Sequence, residues 1–161
     1  MHSYPAARDR LLRTDDDPAA VERFVQEVRR FYPFFPFVAA RPAREFDWGG
    51  EHFTTGQRVL LDLYGTNHDP RLWEAPGEFR PERFGDWDGG AFDFIPQGGG
   101  DHDLGHRCAG EWVTIELMKV AVTALTRGMS YAVPPQDLRV PMRHAPTAPR
   151  SRFVLSVQHR R

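Results

Sequence analysis

The sequence has one cysteine, no long apolar run and almost no net charge. A single thiol cannot close an internal disulfide, so we expect a reducing, cytoplasmic location. The N-terminus, MHSYPAARDRLL, lacks the apolar segment of a signal peptide, and no uncharged stretch approaches the ~18 residues of a membrane span. A formal net charge of −1 argues against nucleic acid or an anionic membrane as the main partner. The composition, 40% hydrophobic and 27% charged, is that of a soluble globular protein.

The length of 161 residues fits one domain with a core of useful size. Many of the 14 glycines and 14 prolines lie between residues 33 and 100, which predicts turns and irregular chain there. The apolar residues between positions 65 and 100 show no sustained helical or strand periodicity. An irregular stretch of that length inside a compact domain is unusual and often functional.

Three helices are predicted. A short helix covers residues 5–12. Asp17 as N-cap and Pro18 at the first position begin a second, amphipathic helix that stops at Pro33. The third follows Cys108 and ends at Gly128. Its apolar residues cover more than one face, so we expect it to be buried on most sides.

Short strands complete the predicted fold. The sequence REFDW, Gly49-Gly50 and EHF indicates a hairpin, and QRVLLDLY indicates a further strand. In the tail, residues 131–133 and 153–157 are strand candidates joined by a proline-rich loop. The predicted class is α+β, mainly α.

The single cysteine lies in the segment QGGGDHDLGHRCAGE, residues 97–111, directly before the third helix. We call this segment the Cys loop. Free N–H groups and the helix dipole favour a thiolate at Cys108. The flanking Gly105 and Gly110 allow close backbone approach to something bulky, and His106 and Arg107 place donors beside the sulfur. Such a thiolate is a nucleophile or a metal ligand. A buried, inert cysteine is the alternative.

The same segment offers a second hypothesis, a non-heme metal site. Its residue types suit zinc, but their spacing does not, because neither a CxxC nor an HExxH arrangement is present. The candidate ligands are Asp101, His102, Asp103, His106 and Cys108.

Two further motifs contain charged residues that can pair. Glu27 and Arg30, in EVRR, share one helix face, and Arg83 follows in RPERF. Taken singly, such pairs are usually solvated and contribute little to stability.

The order of these motifs identifies a resemblance. EVRR, GTNHDPRLW, RPERF and GHRCAG follow one another as in the C-terminal part of a cytochrome P-450. The resemblance implies one partial domain over residues 1–161, with an ExxR helix, a small β-sheet, a meander, a Cys loop and a long proximal helix, and with the N-terminal half of the fold absent. It implies heme b with Cys108 as the thiolate ligand of its iron, which favours O–O cleavage. Glu27, Arg30 and Arg83 would form a structural ion-pair triad.

Details of the Cys loop narrow the resemblance. Asp101 and Leu104 stand where most members have Phe and Gly, and the loop reads IPQGGG…GHRC. This variant is similar to the fatty-acid peroxygenase branch, which hydroxylates long-chain fatty acids near the carboxylate with hydrogen peroxide, or decarboxylates them. Phe34 and Phe35 would then line the substrate channel, with plain core packing as the alternative. His106 would approach a heme propionate.

A complete member of that family is more than twice as long. The distal helix, with the arginine that anchors the fatty-acid carboxylate, does not occur in this sequence. We therefore expect the chain to be inactive alone and to need a separate N-terminal half, as a fragment, a split gene product or a remnant. Other functions remain open: part of a P-450 monooxygenase that needs redox partners, an inactive remnant, or a non-heme metal-binding module.

Overall fold

The structure is a computed structural model that describes residues 2–14, 17–105 and 107–160. It is a mixed fold, mainly helical, which confirms the predicted class. Its helices and strands, in chain order, are α1 (Pro5–Leu12), α2 (Pro18–Phe31), β1 (Phe37–Ala40), β2 (Phe46–Trp48), β3 (Glu51–Phe53), β4 (Val59–Asp62), α3 (Leu63–Asn67), a 3₁₀ helix (Pro81–Phe84), α4 (Glu111–Thr123) with a π-helical turn (Ala124–Gly128), β5 (Met129–Ala132) and β6 (Ser156–Arg160).

Helix α2 is the central element, and its start and end follow the sequence signals. The Asp17 carboxylate accepts the N–H of Ala19 at 2.9 Å, and Pro18 occupies the first position. Tyr32 is extended, as expected for a residue before proline, and this ends the helix. The predicted helix is confirmed.

The hydrophobic core lies where α1, α2 and α4 meet. Phe24 and Val25 of α2 are fully buried, and the Tyr4 ring stacks on Phe79 with ring centres 4.4 Å apart. Stacked and edge-to-face aromatic contacts add to the stabilisation by apolar burial. The buried members of this core are Ala7, Leu11, Ala20, Phe24, Val25, Phe79, Ile115 and Val122.

Within the described residues the strands form three two-stranded antiparallel sheets. The predicted hairpin is β2–β3, and Gly49 and Gly50 at its turn have φ of 62° and 84°, the left-handed region that such a turn requires. Strand β1 pairs with β4, and β5 pairs with β6. These small sheets border the helices.

Several predicted strands differ in extent from those observed, and the one expected at residues 131–133 covers Met129–Ala132. The strand expected in QRVLLDLY ends at Asp62, because its carboxylate accepts the N–H of Gly65 at 2.7 Å and caps α3. The last strand begins at Ser156, three residues later than expected. Ser156 pairs with Ala132, the last residue of β5, so residues 153–155 have no strand partner in β5.

Helix α4 corrects a prediction. Trp112, Val113, Leu117 and Val120 are 62–66% exposed, whereas Ile115 and Val122 are buried against α2. The expectation that α4 is buried on most sides is therefore wrong. Within the described residues only one face of the helix is covered, the face that packs against α2. No helix in the described ranges is long and apolar enough to cross a membrane.

The irregular segment 65–100 is held by an aromatic cluster. Trp73 stacks on Trp87 with ring centres 5.8 Å apart, and Phe84 lies 5.2 Å from Phe94. Ring contacts of this kind supply cohesion that regular hydrogen bonding does not provide here.

Candidate functional site

Cys108 lies on an exposed turn that leads into α4. Its N–H donates to the carbonyl of Gln97 at 3.0 Å, and its own carbonyl accepts the N–H of Glu111 at 3.1 Å. The first N–H groups of α4 therefore follow the cysteine directly. The positive end of the helix dipole at that position favours an anionic group.

The glycines of the Cys loop serve the loop's own folding. Gly98 and Gly100 have φ of 96° and 90°, a conformation that favours glycine. A Cβ on Gly105 would lie 2.6 Å from the carbonyl oxygen of Asp101, which no real side chain tolerates. At Gly110 a Cβ would meet the Cys108 Sγ at 3.8 Å, an ordinary contact. Gly105 thus has a structural reason within the loop itself.

A buried carboxylate lies three residues beyond the cysteine. Glu111 is 1% exposed, and Arg107 donates to it twice, from Nε to Oε2 at 2.5 Å and from Nη2 to Oε1 at 2.9 Å. Arg29 of α2 also donates to Oε1, and His102 Nε2 lies 3.1 Å from Oε2. We call Glu111, Arg29, Arg107 and His102 the loop cluster.

The charges in the loop cluster stabilise one another. Burial works to raise the pKa of the Glu111 carboxyl, but the hydrogen bonds and charges of Arg107 and Arg29 outweigh it, so the pKa lies below its usual range. Burial lowers the pKa of the Arg29 guanidinium, an effect that Glu111 opposes. Hydrogen bonding to Glu111 raises the pKa of Arg107.

From the sequence, Arg107 was identified as a donor beside the sulfur and His102 as a candidate metal ligand, whereas Glu111 and Arg29 were missed. One signal was available, since Arg107 and Glu111 are four residues apart across the start of a helix. Arg29 gives no such signal, because 82 residues separate it from Glu111.

A second buried carboxylate lies on the other side of α2. Glu27 is 0% exposed and binds Arg30 in a two-point ion pair, with Nε to Oε2 at 2.8 Å and Nη2 to Oε1 at 2.9 Å. Arg83 Nε lies 3.3 Å from Oε1 and 3.2 Å from Oε2. The structure thus brings together the three residues that the motifs EVRR and RPERF supply. We call Glu27, Arg30 and Arg83 the meander cluster.

The meander cluster fixes irregular chain by its remaining donors. Arg30 donates from Nη1 to the carbonyls of Asn67 at 2.8 Å and Pro76 at 3.1 Å, and from Nη2 to that of Glu78 at 3.1 Å. Arg83 donates to the carbonyl of Glu74 at 2.8 Å. Burial lowers the pKa of Arg83, although the Glu27 charge opposes that shift.

A cavity of about 560 Å³ opens beside the Cys loop. Phe34 lies in its wall, and Phe35 packs edge-on against Phe34 with ring centres 4.8 Å apart. Gln97, whose carbonyl binds the Cys108 N–H, also contributes to the wall. The other lining residues are mostly apolar and include Val28, Met118, Leu125, Tyr131 and Phe153.

The residues proposed for a non-heme metal site do not converge in the described part of the chain, where no three His, Cys, Asp or Glu side chains come together. His102 is bound to Glu111, and Asp101 Oδ1 accepts the N–H groups of Asp103 and Leu104, both at 2.8 Å. His106, predicted to approach a heme propionate, lies outside the described residues.

Comparison with known proteins decides the family. A family model for cytochrome P450 matches residues 19–155, most of the chain. The chain belongs to the cytochrome P450 family. The resemblance stated from the motifs is thereby confirmed.

Three solved P450 structures show the branch. Cytochrome P450SP alpha (CYP152B1), in complex with ibuprofen, is 53% identical with a TM-score of 0.83, and the match covers 94% of this chain and 37% of that one. Cytochrome P450EX alpha (CYP152N1), with myristic acid, is 46% identical at TM-score 0.82, covering 98% and 38%. A variant of cytochrome P450 OleT, with arachidonic acid, is 43% identical at TM-score 0.84, covering 98% and 37%. These neighbours match the fatty-acid peroxygenase branch.

This P450 chain is short beside its relatives. It spans 37–38% of the length of those three solved structures. Of three curated relatives it spans 24%, 16% and 26%.

The cofactor of the P450 family is heme with thiolate ligation, and the residues present fit it. The Cys108 side chain is exposed, so its sulfur is accessible to a ligand. Gly110 presents no side chain next to that sulfur. The start of α4 supports negative charge at the same position. A thiolate is the soft, electron-rich donor that such an iron centre uses.

Proposed function

We propose that this chain is the heme-ligating part of a P450 that hydroxylates long-chain fatty acids near the carboxylate with hydrogen peroxide. The observation that carries the proposal is the placement of Cys108: the sole cysteine is exposed, directly before α4, with its N–H bound to Gln97. Heme, when bound, supplies the redox chemistry, and a thiolate ligand favours O–O cleavage.

The chain's own residues have distinct roles in this proposal. Cys108 binds the iron, and the α4 dipole stabilises the negative charge on its sulfur. Gly105 permits the tight turn of the loop, and Gly110 leaves space beside the sulfur. Arg107 orients the segment through its two hydrogen bonds to Glu111. We keep His106 as a candidate contact to a heme propionate.

The proposed substrate class rests on the neighbours and on the cavity. Two of the neighbouring structures contain fatty acids, myristic acid and arachidonic acid. The cavity beside the Cys loop is lined mainly by apolar side chains, with Phe34 in its wall. An apolar channel of this kind suits an alkyl chain, since burial of each CH₂ contributes about 0.8 kcal/mol. Phe34 and Phe35 are accordingly proposed to line the channel.

The use of hydrogen peroxide rests on the likeness to the peroxygenase branch, which the IPQGGG…GHRC loop and the neighbours support. The resemblance places the carboxylate-anchoring arginine of that branch on the distal helix, outside the 37–38% of the solved neighbours that this chain matches. Orientation of a reactant can contribute about 7–11 kcal/mol to lowering a barrier. We therefore propose that residues 1–161 alone give no regioselective hydroxylation, and that the distal half of a related peroxygenase restores it.

Spectroscopy and product analysis test the proposal together. The heme-loaded protein, reduced and treated with CO, should show the red-shifted Soret band of a thiolate complex, and Cys108→Ala should abolish that band. Joined to the distal half of P450SP alpha, the protein should convert myristic acid to the 2- or 3-hydroxy acid with hydrogen peroxide and no reductase. The joined Cys108→Ala variant is the control.

Each negative result has a separate meaning. An unshifted Soret band in the unmodified protein would refute thiolate ligation. A joined protein that needs NAD(P)H and a reductase would instead indicate a monooxygenase with redox partners. Selective hydroxylation by residues 1–161 alone would refute the need for a distal half.

A further inference from the structure

The loop cluster contacts the Cys loop at several places at once. His102 and Arg107 lie within the loop, Glu111 ends it, and all three meet at the Glu111 carboxylate. Arg29 adds an anchor from outside the loop, because it belongs to α2. One buried carboxylate therefore ties the loop to the central helix of the fold.

The loop cluster also reaches the backbone of Cys108 from both sides. The Cys108 N–H donates to the backbone carbonyl of Gln97. The side chain of Gln97 accepts in turn, at Oε1, a hydrogen bond from Arg29 Nε at 3.2 Å. The Cys108 carbonyl accepts the N–H of Glu111, whose side chain also binds Arg29. Both backbone hydrogen bonds of Cys108 thus lead to residues that Arg29 holds.

We propose that Glu111 is a positioning residue for Cys108, acting through Arg29, Gln97 and Arg107. Its carboxylate holds residues 97–105 and 107–111 in the conformation that presents the sulfur at the start of α4. This inference rests on the proposed function, since it assigns Glu111 a role at the same thiolate site.

The physical reason is that, in the described residues, the other backbone hydrogen bonds of the loop stay within it, reach only as far as Ala91 and Ile95, or continue into α4. Gly98 and Gly100 give the backbone unusual freedom, and Leu104 is exposed. A buried ion pair adds little net stability compared with well-packed apolar residues, but losing one partner leaves an uncompensated charge. Loss of the Glu111 charge would leave Arg29 buried without its carboxylate, so the loop would rearrange.

The test compares two glutamates of the same helix in the heme-loaded protein. Glu111→Gln removes the charge within the loop cluster, and Glu116→Gln removes the charge of an exposed glutamate that pairs with Lys119. A third variant, Leu11→Ala, removes a buried side chain of α1 from the hydrophobic core and so lowers the stability of the whole fold. If Glu111→Gln fails to fold, the double variant Arg29→Gln, Glu111→Gln removes both charges together and is measured instead.

Two readouts are needed. The first is amide hydrogen exchange of residues 97–111, which should be roughly tenfold faster in Glu111→Gln. The second is the rate at which the reduced CO complex changes from the red-shifted to the unshifted Soret band, which should also increase roughly tenfold. Glu116→Gln should change neither. Leu11→Ala should lower the melting temperature and leave both rates within about twofold.

Wild-type exchange and a wild-type spectral rate in Glu111→Gln would overturn the inference. Equal effects from Leu11→Ala would also overturn it, because they would show a loss of general stability alone. An unshifted band in the unmodified protein would refute the proposed function, and the exchange measurement would still decide whether Glu111 orders the loop.

Discussion

Two adjacent arginines of α2 serve two different parts of the molecule. Arg30 pairs with Glu27 and binds backbone carbonyls of the irregular segment 65–100. Arg29 pairs with Glu111 and binds the Cys loop. Each cluster is built on a glutamate that is almost completely buried. The same chemistry thus fixes two irregular stretches of the chain.

The two clusters differ in how completely they exclude water. In the meander cluster the side chains of Glu27 and Arg30 are 0% exposed, and that of Arg83 is 8% exposed. In the loop cluster the side chain of Arg107 is 15% exposed and that of His102 is 29% exposed. Screening by water weakens the interaction of charges, so the meander cluster should contribute more to stability. On this comparison the meander cluster is the stronger contributor to the stability of the fold, and the loop cluster is the one to which we assign the ordering of the Cys loop.

The largest expected effect is the loss of the Glu27 carboxylate. Glu27→Ala leaves two buried guanidinium groups without their anion, so the free energy of unfolding should fall by about 3–5 kcal/mol. Urea unfolding measures the change, and soluble yield and heme content should fall with it. Glu22→Ala is the control, because its pair with Lys119 is partly exposed and should contribute about 0–1 kcal/mol. Near-wild-type unfolding of Glu27→Ala would show that the meander cluster adds nothing to stability.

Replacing Arg30 or Arg29 by lysine should lower the free energy of unfolding by smaller amounts, and the two losses should differ. Arg30 donates to five acceptors, two on Glu27 and three backbone carbonyls, and a lysine ammonium has three donors. At least two of these five hydrogen bonds are lost in Arg30→Lys, at about 0.5–1.5 kcal/mol each.

Arg29→Lys is the matched comparison. Arg29 donates to Gln26, Gln97 and Glu111, so three lysine donors match the number of acceptors, and we expect a loss of about 1 kcal/mol. Unfolding curves of the two variants under identical conditions give the difference. Equal losses would contradict the ranking of the two clusters.

These clusters also show what local sequence can predict. Glu27 and Arg30 are three residues apart on one helix, so their pairing follows from helical geometry. Asp17, Pro18 and the Gly49-Gly50 turn act within a few residues, and the helix and hairpin that they predicted are present.

Contacts between distant segments were not predictable in this way. The pair of Arg29 with Glu111 depends on how α2 and α4 pack, which no local pattern encodes. The start of β6 depends on its pairing with β5, and the exposure of α4 depends on which elements cover it. The role proposed for Cys108 comes from the order of motifs along the chain, whereas the geometry of its loop is visible only in the fold.

The smallest expected effect concerns His68, beside the meander cluster. Burial lowers its pKa from the ordinary 6.5, while the hydrogen bond of Nδ1 with the Tyr64 carbonyl opposes that shift, and Arg30, Glu27 and Arg83 lie near. The unfolded chain then binds the proton more readily than the folded one. The contribution of His68 to the free energy of unfolding should therefore be fully present above pH 6.5. It should decrease as the pH falls through and below that value.

Unfolding measured at a series of pH values in the wild type and in His68→Phe checks this prediction. The variant should lose the part of the pH dependence that His68 contributes. An identical slope in both proteins would show that the protonation of His68 is not linked to folding.

The adjacency of Arg29 and Arg30 has a mechanical consequence for α2. Successive residues of an α-helix project about 100° apart around its axis. A rotation of α2 that moved Arg30 away from the segment 65–100 would at the same time displace Arg29 from Glu111. The two ion clusters together therefore fix the rotational setting of the helix, and a torsional disturbance at the irregular segment would be transmitted through α2 to the loop that carries Cys108.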